Sequence, residues 1–584
     1  MKEIVFDIET NGLKPDKIWC IVAKPLGEAV VSFGPDKIKE GLEILNTADS
    51  LIGNNILGFD IPVISKLHGV DLSRTKVIKD TLVMSRLFNP VRENGHSLKT
   101  WGYIVNMPKQ EHEEWDVYSP EMLKRCQRDT VLNEKVYQYL LKEGEGFDEE
   151  SIKLEHEVAT ILKEQEENGF LFNEKEALLL VATLKERMFE VEKEVQKVFQ
   201  PKMVDVKKVF PKLKKDGTLS KQGLTAEEYE NINKHYNVDH PEFANFSFMR
   251  KKLQEFNLGS RKQIGEYLTD FGWKPNRFTP TGQPIVDEAS LNKVKNIPEA
   301  KLIAEFLLLQ KRIAQIDSWI TAVADDSRVH GFVIPNGTIT GRMSHRAPNM
   351  AQVPSASSEY GKECRACWIV KDGYKLLGVD ASGLELRMLA HYMDNKEYTN
   401  EVTEGDIHTT NQKLAGLKSR DKAKTFIYAL CYGAGDQKLS TILGGNTKDA
   451  KRIREHFLDN LPSFKRLKNR VGKAAKRGYL KGLDGRKIFI RNDYAALNSL
   501  LQGGGAIVMK RALVMLQALI KLQALDAKFV ANIHDEWQME VREDIADFVG
   551  ELAVGCIEKA GEYYNMRCPL TGEYKTGGNW SETH

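Results

Sequence analysis

The chain has 584 residues, several times a typical domain of about 100–200, so three or four lobes are expected. Its 84 Lys+Arg against 82 Asp+Glu leave a net charge of +2, which excludes binding of nucleic acid or membrane by global charge and leaves only local patches. Seven cysteines at scattered spacings, with Cys364-x2-Cys367 lacking a second pair for zinc and no secretion signal at the start, point to an intracellular, cytoplasmic enzyme without a disulfide framework.

The chain opens on Glu3-Ile4-Val5-Phe6-Asp7-Ile8-Glu9-Thr10, a strand pattern with Asp7 and Glu9 on one face and Phe6 and Ile8 on the other. Neighbouring carboxylates repel unless they are protonated or share a metal. Two further acids follow, Asp60 at the end of Gly53-Asn54-Asn55-Ile56-Leu57-Gly58-Phe59-Asp60 and Asp129 in Arg128-Asp129-Thr130. Next, Leu154, Val158, Ile161 and Leu162, then Leu178, Leu180 and Leu184, recur at helical spacing on either side of Gly169. Lys202, Lys207, Lys208, Lys212, Lys214, Lys215 and Lys221 then form a basic stretch containing only Asp205 and Asp216 as acids. Such a run is a solvated loop by itself, and a phosphate-binding surface in a nucleic-acid enzyme.

Two carboxylates then interrupt aliphatic strands, Asp380 in Leu376-Leu377-Gly378-Val379-Asp380 and Asp535 in Phe529-Val530-Ala531-Asn532-Ile533-His534-Asp535. Burying an unpaired carboxylate costs several kcal/mol, so both ask for a shared countercharge. Between them, Arg420-x3-Lys424-x3-Tyr428-x3-Tyr432-Gly433 places two cations and an aromatic on one helical face. Carboxylates for divalent metals beside a cationic, aromatic helix describe a site for nucleoside triphosphates. The most apolar stretch, Ala506 to Leu525, carries Lys510, Arg511 and Lys521 and is expected to be a buried helix, not a membrane span.

Asp380-Ala381-Ser382-Gly383-Leu384-Glu385-Leu386-Arg387, the Arg420–Gly433 helix and His534-Asp535-Glu536 resemble motifs A, B and C of family A DNA polymerases. Lys424-Thr425-Phe426-Ile427-Tyr428 and Lys481-Gly482-Leu483-Asp484-Gly485-Arg486-Lys487 are similar to the replicative enzymes of short-tailed phages, which work in the host cytoplasm. The likeness covers nearly the whole chain and is weakest between about residues 200 and 245. It implies a multidomain α/β and α+β protein, with an RNase H-like 3′–5′ exonuclease domain followed by a right-hand polymerase. The expected division is exonuclease 1–145, thumb with a short Lys-rich insertion 146–330, palm 331–400, fingers 401–510 and palm 511–584. The implied reaction is template-directed addition of dNTPs to a primer 3′ end. Primer-template DNA and dNTPs are the implied substrates, and a helicase-primase and a single-strand binding protein the implied partners. The short insertion lacks an obvious counterpart of a processivity-factor site, so no thioredoxin-type partner is expected.

The resemblance also assigns residues. Asp380, Asp535 and the carbonyl of Ala381 would hold two Mg²⁺, for which Mn²⁺ can substitute, with Glu536 beside them. His408, Arg420 and Lys424 would contact the triphosphate, and Lys424 would protonate the departing pyrophosphate. Tyr428 would stack on the incoming nucleotide, Tyr432 would hold the template position until the helix closes, and Glu385 would be the steric gate against ribonucleotides. Arg342, in Thr340-Gly341-Arg342-Met343-Ser344, would follow the primer and template with Pro348-Asn349-Met350-Ala351-Gln352-Val353-Pro354. Asn498 and Gln502 would read the minor groove, and Gly503-Gly504-Gly505 would admit the nucleic-acid backbone. Asp7, Glu9, Asp60 and Asp129 would hold the two exonuclease metals. One position departs from the family pattern: Arg125 stands where a tyrosine usually orients the attacking water. Arginine cannot act as a base but can contact the scissile phosphate, and Tyr118 or Tyr137 are alternative hydroxyls, so a modest exonuclease is expected. Two other readings stand beside this one: an exonuclease with a non-catalytic DNA-binding clamp lobe, and a single-subunit RNA polymerase. The first would show loss of Asp380 or Asp535; the second would lack Glu385 and the exonuclease lobe.

Overall fold

In a computed structural model, which describes residues 2–584 with Ala244 by its backbone alone, the Glu3–Thr10 strand lies at the centre of a five-stranded sheet. The order is Val31–Phe33, Ile18–Pro25, Glu3–Thr10, Ser50–Gly53, Val77–Asp80, antiparallel among the first three strands and parallel from Glu3–Thr10 onward. Ile4, Phe6 and Ile8 enter one apolar core with Leu42, Ile61 and Ile64. Strand alternation turns Val5, Asp7 and Glu9 the other way, where the Pro120–Glu143 helix buries Val5 under Leu132, Val136 and Leu140. Ser119 starts that helix by accepting the Met122 N–H at 3.1 Å, with Pro120 in its first turn.

A second sheet has the order Ala527–Ile533, Glu536–Arg542, Tyr374–Ala381, Gly572–Gly577, antiparallel throughout. Leu377, Val379 and Ala381 alternate into a core shared with Leu513 and Leu516 of the Ala496–Leu522 helix and with Val549 and Ala553 of the Ala546–Tyr563 helix. Leu376, Gly378 and Asp380 take the opposite face. Gly378 is needed there, because a Cβ would stand 2.2 Å from the Thr583 carbonyl oxygen. The 578–584 segment therefore lies against this face. Helices Ile407–Ala415, Arg420–Cys431, Asp436–Leu443, Thr447–Asn460 and Pro462–Ala475 come after the Tyr374–Ala381 strand and pack around Phe426, Phe457 and Phe464. The apolar stretch is a packed helix as far as Ile520, with Lys510 and Arg511 both buried, but the helix ends at Leu522 and residues 521–524 are exposed. Among the described residues, no helix is long and apolar enough to cross a membrane.

The chain divides into two compact units, Lys175–Ile320 and the remainder. The expected 146–330 lobe begins before and ends after the smaller unit. The Glu149–Asn168 helix belongs with the sheets: its Leu154, Val158 and Ile161 join the larger core, and its buried Glu155 pairs with Lys510 and Arg486, each at 2.5 Å. The expected boundary between 510 and 511 also falls inside one uninterrupted helix, Ala496–Leu522. Within the Lys175–Ile320 unit, Phe199 packs against Phe256, Tyr267 and Phe271. The start of the basic stretch is strand, not loop: Lys202–Val209 pairs antiparallel with Phe248–Gln254 and leaves Lys207 and Lys208 exposed on a ribbon.

Candidate active sites

Asp380 ends its strand opposite Glu536, and Asp535 lies in the two-residue turn between Ala527–Ile533 and Glu536–Arg542. The turn closes because His534 accepts a φ of 58°. The Ala381 N–H donates to the Asp535 carbonyl at 3.2 Å, tying the two acid-bearing segments together. The expectation that both carboxylates are buried is wrong. Asp380 is exposed near the end of its strand, between buried Val379 and Ala381, and Asp535 is half-buried in the turn two residues past Ile533. Partial desolvation by the walls of the site, then Asp535 and Glu536, still raise the Asp380 pKa to about 7. This site is short of positive charge, and its carboxylate donors suit a hard divalent cation.

Glu536 is the buried member. It accepts from Trp580 Nε1 and Gln538 Nε2, each at 2.7 Å, and pairs with His584 Nδ1 at 2.9 Å. Burial works to raise its pKa, but the hydrogen bond and charge of His584 outweigh that and hold it below the usual value. Glu536 thus anchors the 578–584 segment beside Asp380. No local pattern in the sequence announces Trp580 or His584 as neighbours of this site.

Ser419 caps the Arg420–Cys431 helix by accepting the Lys422 N–H at 3.3 Å. Ala423, Phe426, Ile427 and Leu430 bury one face, so Arg420 and Lys424 stand exposed on the other with Tyr428 half-buried. The helix stops at Cys431. Gly433 follows at φ 76°, where a Cβ would meet the Tyr494 carbonyl oxygen at 2.0 Å. Arg420 is aimed by Asp406, which accepts from its Nε at 2.8 Å and Nη2 at 3.0 Å and also caps the Ile407–Ala415 helix. The sequence reading missed Asp406, although its place before a helix start was a usable signal. The His408 ring lies 6.3 Å from that of Tyr428, and burial, then Lys424 and Arg420, lower its pKa. His408 Nδ1 has no hydrogen-bond partner among the described residues.

Glu385, in the first turn of the Leu384–Met393 helix, accepts the Tyr432 hydroxyl at 2.8 Å on both oxygens, and Arg342 Nη2 approaches it at 3.6 Å. Three residues expected to act separately therefore meet. The Arg342 loop is held from behind by Lys510 Nζ, which donates to the Gly341 carbonyl at 2.7 Å. Asn498 and Gln502 are half-buried on the Ala496–Leu522 helix, and Asn498 Oδ1 has no partner among the described residues. Gly503–Gly505 make room for neighbouring side chains. All three are buried, and a Cβ on Gly503 or Gly504 would strike Ile488 Cδ1 at 2.6 Å or Met388 Sδ at 2.7 Å.

The four acids of the first lobe also meet. Asp60 begins the Asp60–His68 helix and accepts the Ile8 N–H at 3.1 Å, between Asp7 and Glu9 in sequence. Burial, then Glu9 and Asp129, raise the Asp7 pKa well above the carboxylate range, and burial, then Asp7, do the same to Asp60. Glu9 is pushed up to about 7, chiefly by burial and against the pull of Arg125. Asp129 Oδ1 is buried and has no hydrogen-bond partner among the described residues. Arg125 pairs with Glu9 and lies 3.6 Å from Asp129, while Lys109, which the sequence reading missed, reaches Asp129 at 2.7 Å. Tyr137 is no substitute for the missing tyrosine, since its hydroxyl accepts from Lys79 at 2.9 Å within a separate core. Cys126 Sγ lies 3.5 Å from Asp7 Oδ2. Burial pushes this thiol up, so it acts as an S–H donor and not as a ligand for a hard cation.

The sequence model described as DNA polymerase family A matches residues 226–582. The chain belongs to this family. It is 32% identical to the DNA-directed DNA polymerase of Enterobacteria phage T3 and 31% identical to that of Escherichia phage T7, each over 704 aligned positions that cover all of both chains. Among solved structures, it superposes with a TM-score of 0.77 and 19% identity on the POL domain of Pol1 from M. smegmatis, in complex with DNA primer-template and dNTP. That match covers 99% of this chain and 96% of the other. The resemblance read from motifs A, B and C therefore holds at family level. Family A DNA polymerases use divalent metal ions, generally Mg²⁺, in agreement with the oxygen donors and charge deficit around Asp380.

Proposed function

We propose that this family A polymerase extends a primer 3′ end on a DNA template with dNTPs and carries an RNase H-like 3′–5′ exonuclease in residues 1–145. One observation carries the polymerase reading: Asp380 and Asp535 meet at the strand ends of one sheet, in a chain whose Arg420–Cys431 helix presents Arg420, Lys424 and Tyr428 on one face. Two Mg²⁺ held by Asp380, Asp535 and the Ala381 carbonyl would lower the pKa of the primer hydroxyl and neutralise the triphosphate. Arg420, kept in place by Asp406, binds the triphosphate with His408 and Lys424, and Lys424 gives a proton to the leaving pyrophosphate. Tyr428 stacks on the incoming nucleotide, and Glu385, positioned by Tyr432, excludes a 2′-hydroxyl. Arg342, Asn498 and Gln502 follow the minor groove.

The Lys175–Ile320 unit acts as the thumb, with Lys207 and Lys208 of its ribbon directed to duplex phosphates. The second sheet is the palm, and the helices around Phe426 are the fingers. In the first lobe, Asp7, Glu9, Asp60 and Asp129 hold the metals of the exonuclease, and their surplus negative charge supports this. A helicase-primase and a single-strand binding protein fit as partners, and no thioredoxin-type factor is invoked. Primer extension on a single-primed template with Mg²⁺ and dNTPs, beside degradation of single-stranded DNA, tests the whole reading. Degradation without extension would favour the exonuclease with a clamp lobe, and preferential use of rNTPs would favour an RNA polymerase.

A further inference from the structure

We infer that Lys109 and Arg125 form a cationic latch on the exonuclease centre, which a single-stranded 3′ end opens by drawing both side chains onto its terminal phosphodiester, so that DNA and divalent metal bind there cooperatively. The inference rests on the exonuclease reading of residues 1–145. Its basis is that the two cations contact the same carboxylates that a metal would use. Lys109 Nζ lies 2.7 Å from Asp129 Oδ2, and Arg125 bridges Glu9 and Asp129. The other Asp129 oxygen, on a residue only 1% exposed, has no hydrogen-bond partner among the described residues. Four carboxylates against two cations leave room for further positive charge even with the latch closed. The raised pKa values of Asp7, Glu9 and Asp60 express the same deficit.

Lys109 lies on an irregular segment. No helix or strand is formed between Ile104 and Pro120. The body holds this strap at several points: Arg128 Nε donates to the Pro108 carbonyl at 3.1 Å, Trp19 Nε1 to the Trp115 carbonyl at 2.8 Å, Arg125 Nε to the Gln110 carbonyl at 3.3 Å, the Met107 N–H to the Gly102 carbonyl at 2.7 Å, and Lys99 Nζ to Glu111 at 2.6 Å. Arg125 thus grips the strap and the acids together, and its guanidinium lies 4.8 Å from the Trp115 ring. A phosphodiester offers a guanidinium and an ammonium the same kind of anionic oxygen acceptors as a carboxylate. Exchange onto DNA therefore replaces one anionic partner with another and frees Glu9 and Asp129 for metal. By linkage, whatever factor DNA adds to metal affinity, metal adds to DNA affinity.

The test uses the full chain carrying Asp380→Asn and Asp535→Asn, so that the polymerase metals do not report. Free Mn²⁺ is followed by electron paramagnetic resonance, with and without a single-stranded oligonucleotide whose last linkage is a phosphorothioate. Lys109→Gln and Arg125→Gln should each tighten Mn²⁺ binding without DNA, on the order of tenfold for loss of one close unit charge. Arg125→Lys, which keeps the charge, should retain the parent affinity. The oligonucleotide should tighten Mn²⁺ binding to the parent on the order of tenfold and change that of the Lys109→Gln, Arg125→Gln double variant little. Equal or weaker Mn²⁺ binding in both single variants, or no response of the parent to the oligonucleotide, overturns the latch. Asp7→Ala separates the two levels. If it removes the Mn²⁺ site while the cation variants leave affinity unmoved, only the latch falls; if it leaves Mn²⁺ binding intact, the exonuclease reading falls with it.

Discussion

Tyr432→Phe removes one hydroxyl, and the geometry makes Glu385 the residue that loses it. That hydroxyl lies 2.8 Å from both carboxylate oxygens, whereas Arg342 at 3.6 Å is beyond hydrogen-bond range. A hydrogen bond to a charged group contributes about 1.5–3 kcal/mol. Tyr432 is 41% exposed, and solvent screening reduces the figure to about 1 kcal/mol. With Glu385 as the sugar gate, loosening it by that amount should lower discrimination against ribonucleotides about fivefold, since about 1.4 kcal/mol is tenfold. Glu385→Ala removes the gate itself and should lower discrimination by about tenfold or more. Because the hydroxyl acts on the sugar through the carboxylate, the double variant should match Glu385→Ala alone, a coupling of about 1 kcal/mol. The assay is the ratio of kcat/KM for single insertions of a dNTP and its rNTP on one primer-template. Unchanged discrimination in Tyr432→Phe, or effects that simply add in the double variant, would refute the argument.

Asp380→Asn should abolish incorporation and spare degradation of single-stranded DNA, and Asp7→Ala with Glu9→Ala should do the reverse; loss of both activities in folded Asp380→Asn would mean one metal site serves both. Glu155→Ala should destabilise the chain by about 3–5 kcal/mol in urea unfolding, because it strands buried Lys510 and takes one of the partners of Arg486; a loss below about 1 kcal/mol would contradict this. His96, His345 and His391 are held near pKa 4, chiefly by burial. Their unfolded rings charge near the ordinary histidine value of 6.5, so below that pH the unfolded chain binds more protons; stability is whole above pH 6.5 and falls toward pH 4. Melting temperature against pH should show this slope, and His345→Phe should flatten it; an identical slope in the variant would remove His345 from the account.

Residues whose meaning depends on periodicity were legible in the chain itself. Alternation put Asp7 and Glu9 on one strand face, and four-residue spacing put Arg420, Lys424 and Tyr428 on one helix face; both arrangements appear in the fold, because a repeat of two or of 3.6 residues fixes direction locally. The sheets, the cationic helix and the burial of the Ala506–Leu525 stretch as far as Ile520 follow from the same local rules. What each side chain meets was not legible. Lys109 reaches Asp129, Arg420 is held by Asp406, and His584 closes on Glu536, each through a contact whose partner lies elsewhere in the chain. The glycines at 503–505 looked like room for nucleic acid and instead make room for Ile488 and Met388. The burial of Glu155 beside Lys510 and Arg486, which draws the Glu149–Asn168 helix into the larger unit, was likewise not legible. Spacing sets where a side chain points; only tertiary packing decides which distant partner is there to balance its charge.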